Sequence, residues 1–112
     1  MSGQDLYNSL TLKQNQLNYS IKQLSKTGIA FAEAERNYKI AVCKKALELK
    51  SEGMPVTLIQ TIIYGYPDIA TLRFTRDSAE VIYKANLESI NGLKLEIRIT
   101  GNQLDKEISS TD

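Results

Sequence analysis

The 112-residue chain has no histidine and no tryptophan, one cysteine and two prolines. Without histidine, proton transfer near neutral pH and most zinc sites lose their usual agent. No glycine-rich phosphate loop, no Gly-x-Ser-x-Gly elbow and no His-Glu-x-x-His is present, so the common signatures of phosphoryl transfer, acyl transfer and metalloprotease chemistry are missing. A carboxylate di-metal bundle site needs Glu-x-x-His on facing helices and fails for the same reason. No catalytic residue, no cofactor and no metal ligand is expected, and the chain reads as a non-enzyme. The lone Cys43 has no intrachain disulfide partner and no histidine to activate it, so it is expected to be a small buried hydrophobe. No apolar run reaches 18 residues and no charged-then-apolar leader follows Met1-Ser2-Gly3. Neither a membrane span nor a secretory signal is expected, which points to a cytoplasmic protein. A formal charge of +1, with 24% charged and 42% apolar residues, carries no overall bias toward anionic or cationic partners. Any electrostatic recognition must be local.

Against these absences stands one strong signal, a heptad rhythm. Both prolines fall between Leu49 and Ile69, and the segments on either side carry apolar residues at alternating spacings of four and three. The first runs through Tyr7, Leu10, Gln14, Leu17, Ile21, Leu24, Gly28, Phe31, Glu35, Tyr38, Val42, Lys45 and Leu49. That spacing predicts one helix from about Asp5 to Ser51, with Gly53 as its C-terminal cap. Gly28 marks either a kink or a close approach of a partner helix, and Ala32 and Ala34 nearby favour the close approach. Met54-Pro55 restarts the chain, and Val56, Ile59, Ile62 and Ile63 fit a short helix over about 55–64 that Gly65 closes. After Tyr66-Pro67, Asp68 is placed to cap a third segment. Its rhythm runs through Ile69, Leu72, Arg76, Ala79, Tyr83, Asn86, Ile90, Leu93, Ile97, Thr100 and Leu104, predicting a helix over about 68–108 with a loose tail at 109–112.

Two seams of equal period joined by a short turn imply an all-α protein, a single domain over residues 1–112. The expected form is a long antiparallel two-helix hairpin, coiled-coil-like and roughly 60 to 65 Å long, with the short third helix at the turn. If Leu49 lies near Ile69, then Val42 falls near Arg76, Glu35 near Tyr83, Gly28 near Ile90 and Ile21 near Ile97. The polar seam residues Glu35, Arg76 and Asn86 then either form a buried cluster that holds the register or extend from the seam edge to water. Each long helix carries a second apolar row: Ile40, Cys43 and Leu47 on the first, Phe74, Val81 and Ala85 on the last. The short helix is expected to cover part of these rows, and the rest, with Leu95 and Ile99, predicts a homo-oligomer, most simply a dimer forming a four-helix bundle. Ile40, Leu47, Phe74 and Val81 are therefore the expected head-packing or oligomer residues.

The turn end is locally basic. Between Arg36 and Arg76 the cations Arg36, Lys39, Lys44, Lys45, Lys50, Arg73 and Arg76 face Glu48, Glu52 and Asp68. With Tyr64 and Tyr66 beside them, this composition suits an acidic protein partner or a nucleic acid, against the plainer reading of a solvated charged face. The expected partner-binding residues are Tyr64, Tyr66, Lys44, Lys50 and Arg73.

Two resemblances accompany this reading. The stretch KALELKSEGMPVTLIQTIIYGYPDIATLRFTR, Lys45 to Arg76, resembles the helix-turn-helix of resolvases and transposases, which implies DNA contacts from Thr71, Arg73 and Arg76. It departs from that pattern at Gln60 and Thr61, where a small residue is expected, and Arg76 also belongs to the seam. Over most of the chain, AEAERNYKIAVCKKALELKSEGMPVTLI followed by IATLRFTRDSAEVIYKANLESINGLKLEIRITGNQLDKE resembles small, mostly uncharacterised proteins of phages and prophages of Gram-positive bacteria. That resemblance implies a cytoplasmic role in a bacterial host, by stoichiometric binding to a protein of recombination, replication or host defence, anti-CRISPR-like inhibition included. Direct binding of DNA or RNA and a structural or scaffold role are the alternatives.

Overall fold

A computed structural model describes residues 2–110. Three α-helices follow in order, α1 (Gly3–Ser51), α2 (Val56–Ile62) and α3 (Pro67–Ser110), with a 3-10 turn at Ile63–Gly65 after α2. No strand occurs among the described residues. Of the expected tail, Ser109 and Ser110 complete α3, while Thr111 and Asp112 lie outside the described residues.

The helix ends follow from local chemistry. Ser2 caps α1: its hydroxyl accepts the Asp5 N–H at 3.2 Å, and Asp5 puts a carboxylate in the first turn, where the helix end is partially positive. At the other end Gly53 has φ of +90°. Met54 N–H donates to the Leu49 carbonyl at 3.1 Å and Gly53 N–H to the Lys50 carbonyl at 3.0 Å. That pair of bonds is a Schellman cap, and Met54 completes it by packing against the cluster that contains Leu49. Pro55, extended at ψ 143°, precedes α2 without a side-chain cap. Tyr66 is extended, as a residue before proline must be, and Pro67 takes the first helical position of α3. Asp68 is therefore not the expected cap. It sits one position further in, and its carboxylate meets Lys45 at 3.5 Å.

The chain divides into two compact units, one of Thr27–Tyr83 and one of Met1–Lys26 with Lys84–Asp112. In the first, the turn unit, α2 is too short to persist alone and is held by Ile59 and Ile63, which form a buried cluster with Leu49. Lys45 opposite Asp68, Tyr38 opposite Arg76 and Phe31 opposite Tyr83 show α1 and α3 running antiparallel. Gly28 admits the Tyr83 ring, whose Cε1 lies 3.3 Å from where a Cβ would be. Gly28 is thus a site of close approach within an unbroken helix. The register differs from expectation by about one turn: Arg76 meets Tyr38, not Val42, and Tyr83 meets Gly28 and Phe31, not Glu35. Leu49 explains the shift. It is spent on α2, so the direct pairing of α1 with α3 begins a turn earlier, at Lys45.

In the second, the terminal unit, Ser20 and Ser89 hydroxyls meet at 3.5 Å, Asn86 Nδ2 donates to the Ser20 carbonyl at 3.0 Å, and Gly3 lies against Glu107. Ser20 opposite Ser89 leaves no place for the expected Ile21–Ile97 pairing. Leu6, Ile90 and Thr100 are the buried residues of this unit.

The seam on α3 follows the expected positions, all buried or half-buried. On α1 ten of the thirteen expected positions do, the exceptions being Tyr7, Gln14 and Ile21. Leu6 and Ala34 are buried where Tyr7 and Glu35 were expected to lead, and Tyr7 and Ile21 expose 57% and 46% of their surface. Two adjacent rows of α1 carry apolar residues, and the row with small residues at Ser20, Thr27 and Ala34 faces α3 because it allows closer approach. Of the polar seam residues, Glu35 pairs with Lys39 at 3.3 Å and its charge also acts on Arg76, Arg76 pairs with Asp77, and Asn86 donates to the Ser20 carbonyl.

Gly53→Ala is expected to lower the unfolding free energy by about 1–2 kcal/mol, because alanine must adopt the left-handed conformation. Gly101→Ala, with nothing near its added methyl, should raise it by about 1 kcal/mol through helix propensity. Urea denaturation at fixed protein concentration measures both, and equal effects of the two would contradict this assignment.

Candidate interaction surface

All nine residues singled out for binding or packing lie in the turn unit. The structure brings some of them together in pairs. The Arg73 guanidinium carbon stands 5.4 Å from the Tyr64 ring centroid, an exposed cation–π contact worth about 0.5–1 kcal/mol. Tyr64 exposes 46% of its surface. Tyr66 differs, because it is half-buried and packs on the Leu49–Ile59–Ile63 cluster, with the Lys45 ammonium 4.9 Å above its ring. Tyr66 is a packing residue before it is a contact residue. Lys44 and Lys50 are exposed on α1, and Lys50 stands in its last turn, where a cation complements the helix C-terminus.

Lys45 is the residue that sequence reasoning missed. Only 18% exposed, it reaches Asp68 at 3.5 Å and Glu48 at 3.8 Å, besides covering Tyr66. The signal was a lysine on the seam facing a carboxylate in the first turn of the next helix. A shallow cleft of about 450 Å3 lies beside this knot, lined by Thr61, Ile62, Gly65, Tyr66 and Pro67.

The basic character of the turn end is smaller than the composition implied. Lys39, Lys45 and Arg76 all hold carboxylates within the unit. Arg76 also lies 4.7 Å over the Tyr38 ring; its pKa is raised, chiefly by the hydrogen bond to Asp77. Of the three residues implied by the helix-turn-helix resemblance, Thr71 is exposed, Arg73 leans on Tyr64, and Arg76 is turned into the helix pair with 21% of its side chain exposed.

The second apolar rows stay uncovered within the chain. Ile40, Leu47, Phe74 and Val81 expose 46%, 63%, 72% and 66%. The short helix does not cover them, because Ile59 turns to Leu49. Cys43 is exposed as well, contrary to expectation, since it occupies the outer row between Ile40 and Leu47. Among the described residues no group of three or more cysteine, aspartate or glutamate side chains is placed to hold a metal ion, and no helix is long and apolar enough to cross a membrane. Comparison of the chain with protein-family profiles, with curated proteins and with solved structures finds no match.

Tyr66→Ala is expected to cost about 2 kcal/mol in unfolding free energy, roughly half the loss for a fully buried aromatic. Tyr64→Ala should stay within about 0.5 kcal/mol of the parent, as exposed substitutions do. Thermal or urea unfolding followed by circular dichroism separates the two, and the reverse order would refute the division of roles between these tyrosines.

Proposed function

We propose that this chain is a non-catalytic interaction module that binds a protein partner stoichiometrically and works as a dimer. The observation that carries the reading is the outer apolar rows of the turn unit, Ile40 with Leu47 and Phe74 with Val81, each pair seven residues apart and all four exposed. Exposed aliphatic and aromatic side chains are the usual material of a binding hot spot, and Phe74 adjoins Arg73, which stands over Tyr64. The resemblance to small phage and prophage proteins directs the search for a partner to bacterial proteins of recombination, replication or host defence, with inhibition of a defence nuclease among the outcomes.

Direct nucleic-acid binding through Lys44, Lys50 and Arg73 is the second reading. The carboxylate partners of Lys39, Lys45 and Arg76 weigh against it, because those cations are compensated before any phosphate arrives. A scaffold role is the third.

Purified candidate proteins of these three classes should bind the immobilised chain. A Phe74→Asp, Val81→Asp double variant should lose that binding by at least tenfold while its helicity is retained, since both side chains are exposed. Binding unchanged by the double variant would remove the proposed face. Oligonucleotide binding that falls steeply with salt and is lost on charge reversal at Lys44, Lys50 and Arg73 would replace the protein reading by the nucleic-acid one.

A further inference from the structure

We infer that the outer row of α1 is a docking seam for an acidic amphipathic helix of the protein partner. This rests on the protein-partner reading above and adds the chemistry of the segment that meets α1; Phe74 and Val81, on α3, are a separate contact. The seam runs from Ile29 through Glu33, Arg36, Ile40, Cys43 and Leu47 to Lys50, in alternating steps of four and three without a break. All seven residues are exposed, and all lie on one unbroken helix within the turn unit. At 1.5 Å per residue the seam is about 31 Å long, or three heptads. The inner face of the same helix is already used, with Tyr38 under Arg76 and Leu49 against Ile59 and Ile63. The outer row lies about half a turn round the helix from Tyr38.

Charge identifies the occupant. From Arg36 to Lys50 the seam and the positions bordering it carry Arg36, Lys39, Lys44 and Lys50 and no carboxylate. Lys39 holds Glu35, whereas Arg36, Lys44 and Lys50 pair with no carboxylate among the described residues. Glu33, the one acidic residue of the seam, stands outside that stretch. The complement is an apolar row that meets Ile40 and Leu47, edged by carboxylates that meet the cations, and a helix is the form that presents both at a repeat of seven.

Other occupants fit less well. Nucleic acid gains nothing from Ile40 and Leu47, and the seam offers no aromatic ring on which a base could stack. A membrane surface is met by an uninterrupted apolar face with aromatic or leucine anchors, whereas Arg36 and Lys50 interrupt this one at seam positions. Two copies of the row would set cation against cation, which disfavours a symmetric pairing of α1 with α1.

Fluorescence anisotropy on the full chain tests the seam with two synthetic three-heptad peptides, both with leucine along the inner row. One carries glutamate on both edges and the other lysine, so that each repels its own copies. The glutamate peptide is expected to bind at least about tenfold more tightly than the lysine peptide. Arg36→Glu with Lys44→Glu and Lys50→Glu should reverse that preference. Ile40→Ala with Leu47→Ala should weaken the glutamate peptide at least about tenfold; all these positions are exposed, and circular dichroism checks that the variants stay helical. Equal affinity for the two peptides, or glutamate-peptide binding that Ile40→Ala with Leu47→Ala leaves unchanged, would overturn the seam. So would tighter binding of an oligonucleotide, or of phosphatidylserine vesicles, that is lost on the same charge reversal. If the peptides fail while a candidate protein still binds through Phe74 and Val81, the seam alone is wrong. If neither peptides nor candidate proteins bind, the protein-partner reading falls with it.

Discussion

The contact of Leu49 with Ile59 and Ile63 is the constraint on which the turn unit depends. A seven-residue helix has too few internal hydrogen bonds to stand by itself, so α2 exists because the chain can fold it back under the last turn of α1. Gly53 makes that return possible, being the one residue there able to take φ of +90° without strain. Once Leu49 is committed to α2, α3 cannot also use it. The pairing of the long helices then starts at Lys45 and Asp68 and proceeds through Tyr38 with Arg76 and Phe31 with Tyr83.

The same arrangement decides what is left for binding. In a pair of helices each one buries a single row, and the outer rows must meet solvent or another molecule. Here those rows are not uniformly charged, as they are on most exposed helices. Phe74 and Val81 stand out from the turn unit, and Tyr19 and Leu12 from the terminal unit. Two cations of the turn unit, by contrast, are structural groups, since Lys45 holds Asp68 and Tyr66 and Arg76 covers Tyr38, while Arg36, Lys39, Lys44, Lys50 and Arg73 are exposed. Exposed apolar area is available in both units.

Much of this was legible in the sequence. The heptad spacing located α1 and α3 to within two residues at each end, and Gly53, Pro55, Gly65 and Pro67 marked the turn. The α3 seam was readable in full, although Phe74, Val81, Leu95 and Ile99 are apolar too, because the four-and-three spacing holds without slippage from Ile69 to Leu104. The α1 seam was readable from Leu24 to Leu49 but not before it, where Tyr7, Gln14 and Ile21 are exposed, because Leu6 and Tyr7 are both apolar and periodicity does not choose between neighbouring rows. That choice is made by Ser20, Thr27 and Ala34, through how closely α3 can approach. The register escaped for a related reason: nothing in the spacing says that Leu49 will be taken by α2. Of the turn-end residues, Tyr64 with Arg73 emerged as a pair, while the packing role of Tyr66 and the several partners of Lys45 depend on contacts between segments twenty residues apart. Cys43 was misjudged from its residue type, since its place on the outer row outweighs the usual tendency of cysteine to be buried.

The most direct measurement of the register that Leu49 imposes is a proton NMR distance restraint on Tyr83. The structure predicts strong nuclear Overhauser contacts from the Tyr83 ring to the Gly28 α-protons and to the Phe31 ring. Contacts from that ring to Glu35 in their place would mean that α1 and α3 pair from Leu49 onward, and would contradict the account of how α2 sets the turn.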